Sequence, residues 1–409
     1  MPLISGMMDT QASIEVTSST PGEEDQEVSL LGSQRHHEVN KPRWYHVSDA
    51  EVPSDVEPIW CFNSWWKLLV FLIVCTTLLP ISVRWLQKDS AALSTLGNTS
   101  SEAGVRSEDY VLSMDWSYDA APLVREYVWT VAEVEYNPDG VYRPMLLVNN
   151  QFPGPLLRMN EGDTLRITVI NKATNATSIH FHGIFQNGSA WQDGSVGIAQ
   201  CPIAPGRNYT YEFQVDGQAG TYFWHGHQGV QASDGLFGPL IVHSRDETVL
   251  QRLSYASDRV IMVSDHYWDL SGSLTRRYLA PDMENAEPVP DGALINGRSI
   301  RDCSTLPTRK CDNTTSNVGR PVFDLKANEK HRLRIVNTGA FAEFQVQIDE
   351  HEFAVSEVDG TDVVPQYYHR LNINPAQRYS IIINTNSTLA TSFWTVSYTH
   401  LTLPTKRIV

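Results

Sequence analysis

The stretch TLRITVIN, residues 164–171, alternates apolar and polar side chains along its length. Leu165, Ile167 and Val169 recur at every second position, which is the period of a strand with one buried face. Similar short runs, rich in β-branched and aromatic residues and broken by glycine, proline and asparagine, lie on both sides of it: LLVNNQFPGPLL, YTYEFQV, GTYFWHG and LFGPLIVHS. No run with helical spacing competes with them. The sequence therefore predicts an all-β sandwich or barrel here.

A second block of the same kind starts near Arg259. Its short strand-like runs are DRVIMVSDHYW, HRLRIVNTG, EFQVQIDEHEFAVSEVDG and RYSIIINT, with turn signals between them. We therefore predict two β-sandwich domains in series, over residues 116–248 and 255–395, the second of them incomplete. Residues 396–409 follow a strand-like SFWT without closing a domain, so we treat them as a doubtful tail and do not count them as native.

The composition and charge limit what the protein can bind. Of the 409 residues, 41% are hydrophobic and 10% aromatic, which suffices for two or three domains, and the formal net charge is −16. Binding to phosphates requires a basic surface, so we expect no nucleic-acid partner. Residues 1–59 contain eleven acidic residues against three lysines and arginines and few apolar clusters. This segment predicts a disordered, acidic tail, because it cannot bury enough surface to offset its ordering entropy.

An apolar segment follows the acidic tail. Between Lys67 and Arg84 lie sixteen uncharged residues, with tryptophans on both sides as at a membrane interface. If the Lys67 side chain extends to the headgroups, residues 65–84 reach the roughly 20 residues that a spanning helix needs. We therefore predict a single transmembrane signal anchor within residues 60–88 and a linker over residues 89–115. A buried helix is the alternative interpretation.

Glycosylation signals give the expected orientation. Six N-x-S/T sequons all lie C-terminal to the apolar segment, at Asn98, Asn175, Asn187, Asn208, Asn313 and Asn386. This distribution favours a cytosolic tail and a body that faces the secretory lumen or the cell exterior. In such an oxidising compartment Cys303 and Cys311, which close a short loop, could form a disulfide, and Cys201 is left without a partner.

Two His-x-His pairs mark a candidate metal site: His180 and His182 in IHFHG, and His225 and His227 in TYFWHGHQGV. Alternate side chains of a strand point to one face, roughly 6–7 Å apart, so each pair can serve one metal or two neighbouring metals. Imidazole binds copper, zinc, iron and nickel, and the intrinsic affinity order favours copper. A zinc hydrolase site is an alternative, which would need three protein ligands and an open position.

Four segments in order resemble the first cupredoxin domain of the multicopper oxidases, a family that includes laccases and fungal ferroxidases. They are VNNQFPGPLLRMNEGDTLRITVIN, IHFHGIFQNGSAWQDG, AQCPIAPG and GTYFWHGHQGVQASDGLFGPLIV, and the resemblance covers residues 129–242 closely. A weaker continuation through DGALINGRS, RLRIVNTGAFAEFQVQIDEH, VSEVDG and AQRYSIII is similar to the second domain, to about residue 383. The resemblance implies tandem cupredoxin-like β-sandwich domains and a copper cofactor.

The resemblance also implies a role for each candidate residue. The histidines would be ligands of a trinuclear copper cluster that reduces O2 to water with four electrons: His180 for the type 2 copper, and His182, His225 and His227 for the type 3 pair. Asp193, in WQDG, is implied as a catalytic proton donor through water, since O2 reduction needs protons. A turn aspartate before Gly194 is the alternative, and Asp234, before Gly235, is open to the same doubt.

The chain also departs from the family pattern. In the family a third domain supplies two further His-x-His pairs and the cysteine of the type 1 copper, where electrons enter, and neither motif occurs here. The family partner of Cys201 lies in that part as well. We therefore expect a C-terminally truncated chain that is inactive as written. A non-catalytic copper-binding or adhesive cupredoxin pair is the alternative.

Two electron donors stay open. HFHG and FQNGSA resemble ferroxidases, and Glu287 resembles a position where those enzymes place an acidic iron ligand. WQDG and QAGTYFW resemble laccases at least as closely, and a plain loop carboxylate is the alternative interpretation of Glu287. We predict a laccase-like oxidoreductase whose partners are O2 and a phenolic or diphenolic substrate, with Fe(II) as the alternative donor.

Overall fold

The computed structural model describes residues 110–246, 254–281, 283, 286–385 and 395–399. All of them belong to one compact unit, residues 91–409. The predicted tail (1–59), the predicted anchor (60–88) and most of the predicted linker lie outside the described residues. Within the part of the chain that is described, no helix has the length and apolar character to cross a bilayer.

The first half of the described chain contains nine strands. They are β1 (Val111–Leu112), β2 (Val124–Tyr136), β3 (Arg143–Val148), β4 (Leu157–Asn160), β5 (Thr164–Asn171), β6 (Ile179–His182), β7 (Asn208–Gln214), β8 (Gly220–Gly226) and β9 (Phe237–His243). Eight of them form two four-stranded sheets, with the orders β3-β2-β5-β7 and β4-β9-β8-β6. The two sheets pack face to face as the first domain.

The second half contains nine strands and one short helix among its described residues. They are β10 (Ser257–His266), α1 (Ser271–Tyr278), β11 (Gly292–Ile295), β12 (Lys330–Asn337), β13 (Phe344–Ile348), β14 (Phe353–Val358), β15 (Thr361–Tyr368), β16 (Arg370–Ile373), β17 (Arg378–Asn384) and β18 (Thr395–Thr399). A seven-stranded sheet has the order β1-β10-β12-β17-β14-β15, with β11 paired to β10. A three-stranded sheet has the order β16-β13-β18.

The alternation that predicted the fold is realised in β5. Leu165, Ile167 and Val169 are fully buried between the sheets of the first domain, and the residues between them are partly exposed. The same core holds Trp129 and Trp224, whose ring centroids lie 4.4 Å apart. Each large apolar side chain buried here contributes roughly 1.5–3 kcal/mol. The prediction of an all-β fold with cupredoxin-like sandwiches is confirmed for the described residues.

The structure differs from the sequence prediction in two elements. The end of the predicted linker is not a linker, because β1 pairs with β10 and the side chains of Tyr110 and Leu112 are buried. A two-residue strand is too short to show a period in the sequence. The helix α1 was not predicted either, since eight residues between two strand runs give a weak helical pattern.

The segment treated as a doubtful tail begins within a strand. β18 pairs antiparallel with β13, so that Thr395 lies opposite Ile348 and Thr399 opposite Phe344. Residues 400–409 lie outside the described residues. Whether residues 396–409 are native stays a prediction.

A separate apolar core joins the two domains. It combines outward-facing side chains of the first domain, such as Met145 and Phe237, with Val260 and Met262 of β10 and Val336 of β12. The two domains therefore share a continuous buried apolar interface, and the seven-stranded sheet lies against the strand β8.

Candidate metal centre

The strands β6 and β8 carry the candidate histidines. In β6, Ile179 and Phe181 point into the core, and His180 and His182 point to the opposite face, where they are partly exposed. β6 pairs antiparallel with β8, and this register places His180 directly opposite His225. Residues that face each other across an antiparallel pair project to the same side of the sheet. Three imidazoles therefore share one face of two neighbouring strands.

The four predicted ligands lie together. Nitrogens of His180, His182 and His225 all lie within 4.8 Å of one another. His227, which follows β8 and is exposed, has its ring centroid 5.2 Å from that of His180 and 5.8 Å from that of His225. On the same face of the sheet, the ring of His182 stacks on that of Phe223, and the two ring centroids lie 4.6 Å apart.

In His180 and in His225, a hydrogen bond to a main-chain carbonyl uses one ring nitrogen and leaves the other available to a metal. His180 Nδ1 lies 2.7 Å from the main-chain carbonyl of Asp193, and His225 Nδ1 lies 3.0 Å from the carbonyl of Gly226. A carbonyl oxygen only accepts, so Nδ1 is the donor in both rings and Nε2 keeps its lone pair. Metal-binding histidines typically donate the N–H of one ring nitrogen to a carbonyl or carboxylate in this way and bind the metal through the other nitrogen.

The protonation state also suits a metal. Burial, with a smaller effect of the charge on His180, lowers the pKa of His182 to about 4, and burial lowers the pKa of His225 to about 3. Both rings are therefore neutral at pH 7, as metal binding requires. Three imidazoles with converging nitrogens fit copper, and they fit zinc as well.

Asp193 lies beside the histidines on the loop between β6 and β7. Its carboxylate is 3.2 Å from His180 Nδ1 and accepts a hydrogen bond from Ser195 Oγ at 2.8 Å. The next residue, Gly194, has φ +84°, and a methyl group there would lie 1.9 Å from the carbonyl oxygen of Ile179. The loop thus runs directly against β6, and only glycine permits this approach.

Two residues that sequence reasoning missed support this site. Gln218 donates from Nε2 to the carbonyl of Gly183 at 2.9 Å and accepts from the N–H of Phe185 at 2.6 Å, which fastens the turn after His182. Arg378, from β17, donates from Nε to the carbonyl of Thr221 in β8 at 3.1 Å. Gln218 stands in the quoted QAGTYFW and Arg378 in AQRYSIII, but neither side chain is a metal ligand, so no motif pointed to it.

Two other carboxylates lie elsewhere. Glu287 is exposed on the loop between α1 and β11, in the second domain. Asp234 is buried, forms an ion pair with Arg143, and accepts from the N–H of Ser271 at 3.0 Å. Since Ser271 begins α1, Asp234 links the two domains.

The cysteines and sequons have the following positions. Cys303 and Cys311 form a disulfide whose Cα atoms lie 5.5 Å apart, and Cys201 is a free, exposed thiol. Four sequon asparagines fall within the described residues, and all four are exposed: Asn175, Asn187, Asn208 and Asn313.

Known proteins match the chain over both domains. Residues 130–247 and 257–407 match two family models that are both described as multicopper oxidase. Laccase-1 of Cryptococcus neoformans is 35% identical over 320 residues, which are 78% of this chain and 51% of that protein.

Solved structures match as well. Fet3p, a multicopper oxidase that functions in iron import, superposes with a TM-score of 0.60 at 31% identity, over 68% of this chain and 48% of that chain. The laccase of Botrytis aclada gives a TM-score of 0.59 at 33% identity, over 73% of this chain and 54% of that one. The chain thus spans about half the length of these relatives. Two sandwiches with the matching order of segments, and histidines clustered on adjacent strands of the first, lead to one conclusion: the chain belongs to the multicopper oxidase family.

Proposed function

We propose that this chain provides one half of the O2-reducing copper centre of a laccase-like oxidase, which takes electrons from phenolic or diphenolic donors. The observation that carries the proposal is the cluster of His180, His182 and His225, with nitrogens within 4.8 Å and two of the rings held neutral by burial. Further support comes from the 35% identity to Laccase-1 and from the likeness to the Botrytis laccase.

The residues of this chain would have separate tasks. Copper, when bound, would supply the one-electron redox chemistry that joins single-electron donors to the four-electron reduction of O2. His180 and His225 would bind it through Nε2, because their Nδ1 atoms are occupied by carbonyls. His182 and the exposed His227 would complete the ligands from this domain. Asp193 would orient His180 and would donate protons through water, beside the site where protons are consumed.

Copper binding is testable on this chain. We expect the purified chain to retain stoichiometric copper after dialysis, with a Cu(II) electron paramagnetic resonance signal that shows nitrogen ligands. The double variant His180→Ala/His182→Ala should lose most of this copper, since it removes both ligands of β6. His369→Ala, at an exposed histidine of the second domain, is the matched control and should bind as the wild type does.

Three outcomes would count against the proposal. Equal copper in the double variant and the wild type would place the metal elsewhere. No copper in the wild type would contradict the proposal that this cluster binds copper. Retention of zinc in preference to copper, together with hydrolysis of an ester substrate, would favour the zinc hydrolase alternative.

A ferroxidase is the second candidate. It is favoured by the likeness to Fet3p and by the exposed carboxylate of Glu287, which is accessible to a cation. The donor is testable on the protein that carries this chain in its cell, isolated with an antibody against residues 110–246. We expect O2 consumption with a diphenol to exceed that with Fe(II). Faster consumption with Fe(II), lowered by Glu287→Gln, would support the ferroxidase instead.

We further propose that the body of the protein faces the secretory lumen or the cell exterior, held by the anchor predicted in residues 60–88. Support comes from the Cys303–Cys311 disulfide, which persists in oxidising compartments, and from the exposure of the four described sequon asparagines. Treatment of the isolated protein with an N-glycosidase should lower its apparent mass. An unchanged mass would contradict this location.

A further inference from the structure

The side chain of Arg378 lies where the two histidine-bearing strands meet the second domain. It belongs to β17, and Arg378 is only 6% exposed. In the β6–β8 ladder His182 pairs with Phe223, so that Gly183 and Tyr222 follow at the end of the ladder. Arg378 contacts β8 and the turn that directly follows β6 at this end.

On the β8 side, the contacts are a hydrogen bond and a ring. Arg378 Nε donates to the main-chain carbonyl of Thr221 at 3.1 Å. Its guanidinium carbon lies 5.5 Å from the centroid of the Tyr222 ring, within the range of a cation–π interaction. Thr221 and Tyr222 lie four and three residues before His225 in the same strand, so Arg378 holds that strand close to a metal ligand.

On the β6 side, the guanidinium lies against the main chain of Gly183. A methyl group on Gly183 would lie 2.7 Å from Arg378 Nη2 and 2.7 Å from Cδ1 of Tyr222. The φ of Gly183 is +90°, so the chain makes a sharp turn immediately after His182. Gln218 fastens the far side of this turn through the carbonyl of Gly183 and the N–H of Phe185. The turn therefore has a fixed neighbour on each side.

The second domain holds the guanidinium in place. Nη1 donates to the carbonyl of Ala376 at 3.1 Å and lies 3.1 Å from the carboxylate of Asp359, and Nη2 donates to the carbonyl of Asp359 at 3.2 Å. The planar guanidinium group of Arg378 thus contacts three segments at once: the strand β8 at Thr221, and the turns that contain Ala376 and Asp359. A lysine has one flexible ammonium and cannot reproduce these contacts.

We propose that Arg378 is a positioning residue for the copper half-site: it locks the end of β6 to the end of β8 and thereby sets the distance between His182 and His225. The inference rests on the proposed function of these histidines as copper ligands. It gives the second domain a direct part in the geometry of a half-site whose histidines all lie in the first domain. Groups that orient metal ligands typically contribute 10–100-fold to metal affinity.

The test compares Arg378→Lys and Arg378→Met in the full chain, with Arg370→Lys as the control. Arg370 is an exposed arginine of the same domain, and its guanidinium contacts the Gln347 side chain. Three quantities are measured: the copper dissociation constant by competition with a chelator, the Cu(II) resonance spectrum, and the urea midpoint of the metal-free chain. The double variant His180→Ala/His182→Ala gives the background of copper bound elsewhere.

We expect Arg378→Lys to weaken copper binding at the half-site by about tenfold and to change the Cu(II) spectrum, with a small change in urea midpoint. The control should leave all three quantities unchanged. If Arg378→Met does not fold, Arg378→Lys still decides the question, since it keeps the charge and nearly the length.

Two results would overturn the inference, and they are distinguishable. Equal copper affinity and spectrum in the wild type and Arg378→Lys would overturn it while the proposed function stands, and a lower urea midpoint in that case would make Arg378 a purely structural residue. No copper binding by the wild type would overturn the proposed function, and this inference with it.

Discussion

His266 shows how a single buried side chain couples stability to pH. It ends β10, is 3% exposed, and its Nε2 lies 3.9 Å from the carboxylate of Asp139, in the turn between β2 and β3. Burial lowers the pKa of His266 to about 4, although Asp139 acts in the opposite direction. The folded protein therefore keeps this ring neutral at a pH where the unfolded chain protonates it.

The sign of the pH dependence follows from this difference. Between pH 6.5 and about 4 the unfolded state binds the proton and the folded state does not, so the free energy of unfolding falls as the pH falls. The loss is up to about 1.4 kcal/mol per pH unit. We expect urea unfolding of the wild type and His266→Gln to differ less at pH 5 than at pH 7.5. A difference that stays constant over this range would contradict the lowered pKa.

Single residues also show what sequence reasoning can reach. The four histidines were identifiable because imidazoles at alternate positions of a strand indicate metal binding without any knowledge of the tertiary structure. Gln218 was not, because an amide acquires its role only from the two main-chain groups that it meets.

At the scale of elements, the loop between β6 and β7 is built around Gly194. Its close approach to Ile179 keeps Asp193 next to His180. Gly188, in the same loop, also has a positive φ, at +75°, but a methyl group there would meet no atom within 4 Å. A side chain at Gly188 would therefore cause backbone strain alone, whereas a side chain at Gly194 would cause backbone strain and a steric clash with β6.

Alanine at each position tests this difference. Gly188→Ala should lower the free energy of unfolding by about 1–2 kcal/mol, the cost of a left-handed alanine. Gly194→Ala should lower it by about 2–5 kcal/mol, because overpacking is added, and it should also weaken copper binding as the loop moves off β6. Urea unfolding and chelator competition measure both effects. Equal losses in the two variants would mean that the approach of Gly194 does not matter.

The strands themselves were largely predictable, and their pairing was not. The alternation in β5 indicated which side chains are buried, because the period of a strand is local. The register that sets His180 opposite His225 joins segments more than forty residues apart, and it depends on packing of the whole sheet. The short elements β1 and α1 escaped prediction because two residues cannot show the period of a strand and eight residues give only a weak helical pattern.

At the scale of the whole molecule, a buried polar cluster behind β8 fastens the first domain to the second. The N–H of Thr221 donates to the Glu357 carboxylate at 2.7 Å, and Arg334 donates to the Thr221 hydroxyl at 3.1 Å. Glu357 also forms an ion pair with Arg332. Burial raises the pKa of Glu357, but Arg332 and Arg334 outweigh it and hold that pKa below its usual range. With Arg378, three arginines of the second domain thus face the strand that carries His225.

The sequence by itself determined the all-β class, the two-domain order and the histidines at the site, because strand periodicity and ligand chemistry are properties of short segments. It also carried the ordered motifs by which the family is recognised. Only the tertiary structure decided that His180, His182 and His225 converge, that Asp234 joins the two domains while Asp193 lies at the site, and that Arg378 braces the ligand strands. These facts depend on contacts between residues far apart in the chain, and such contacts exist only after the sheets have paired and the domains have packed.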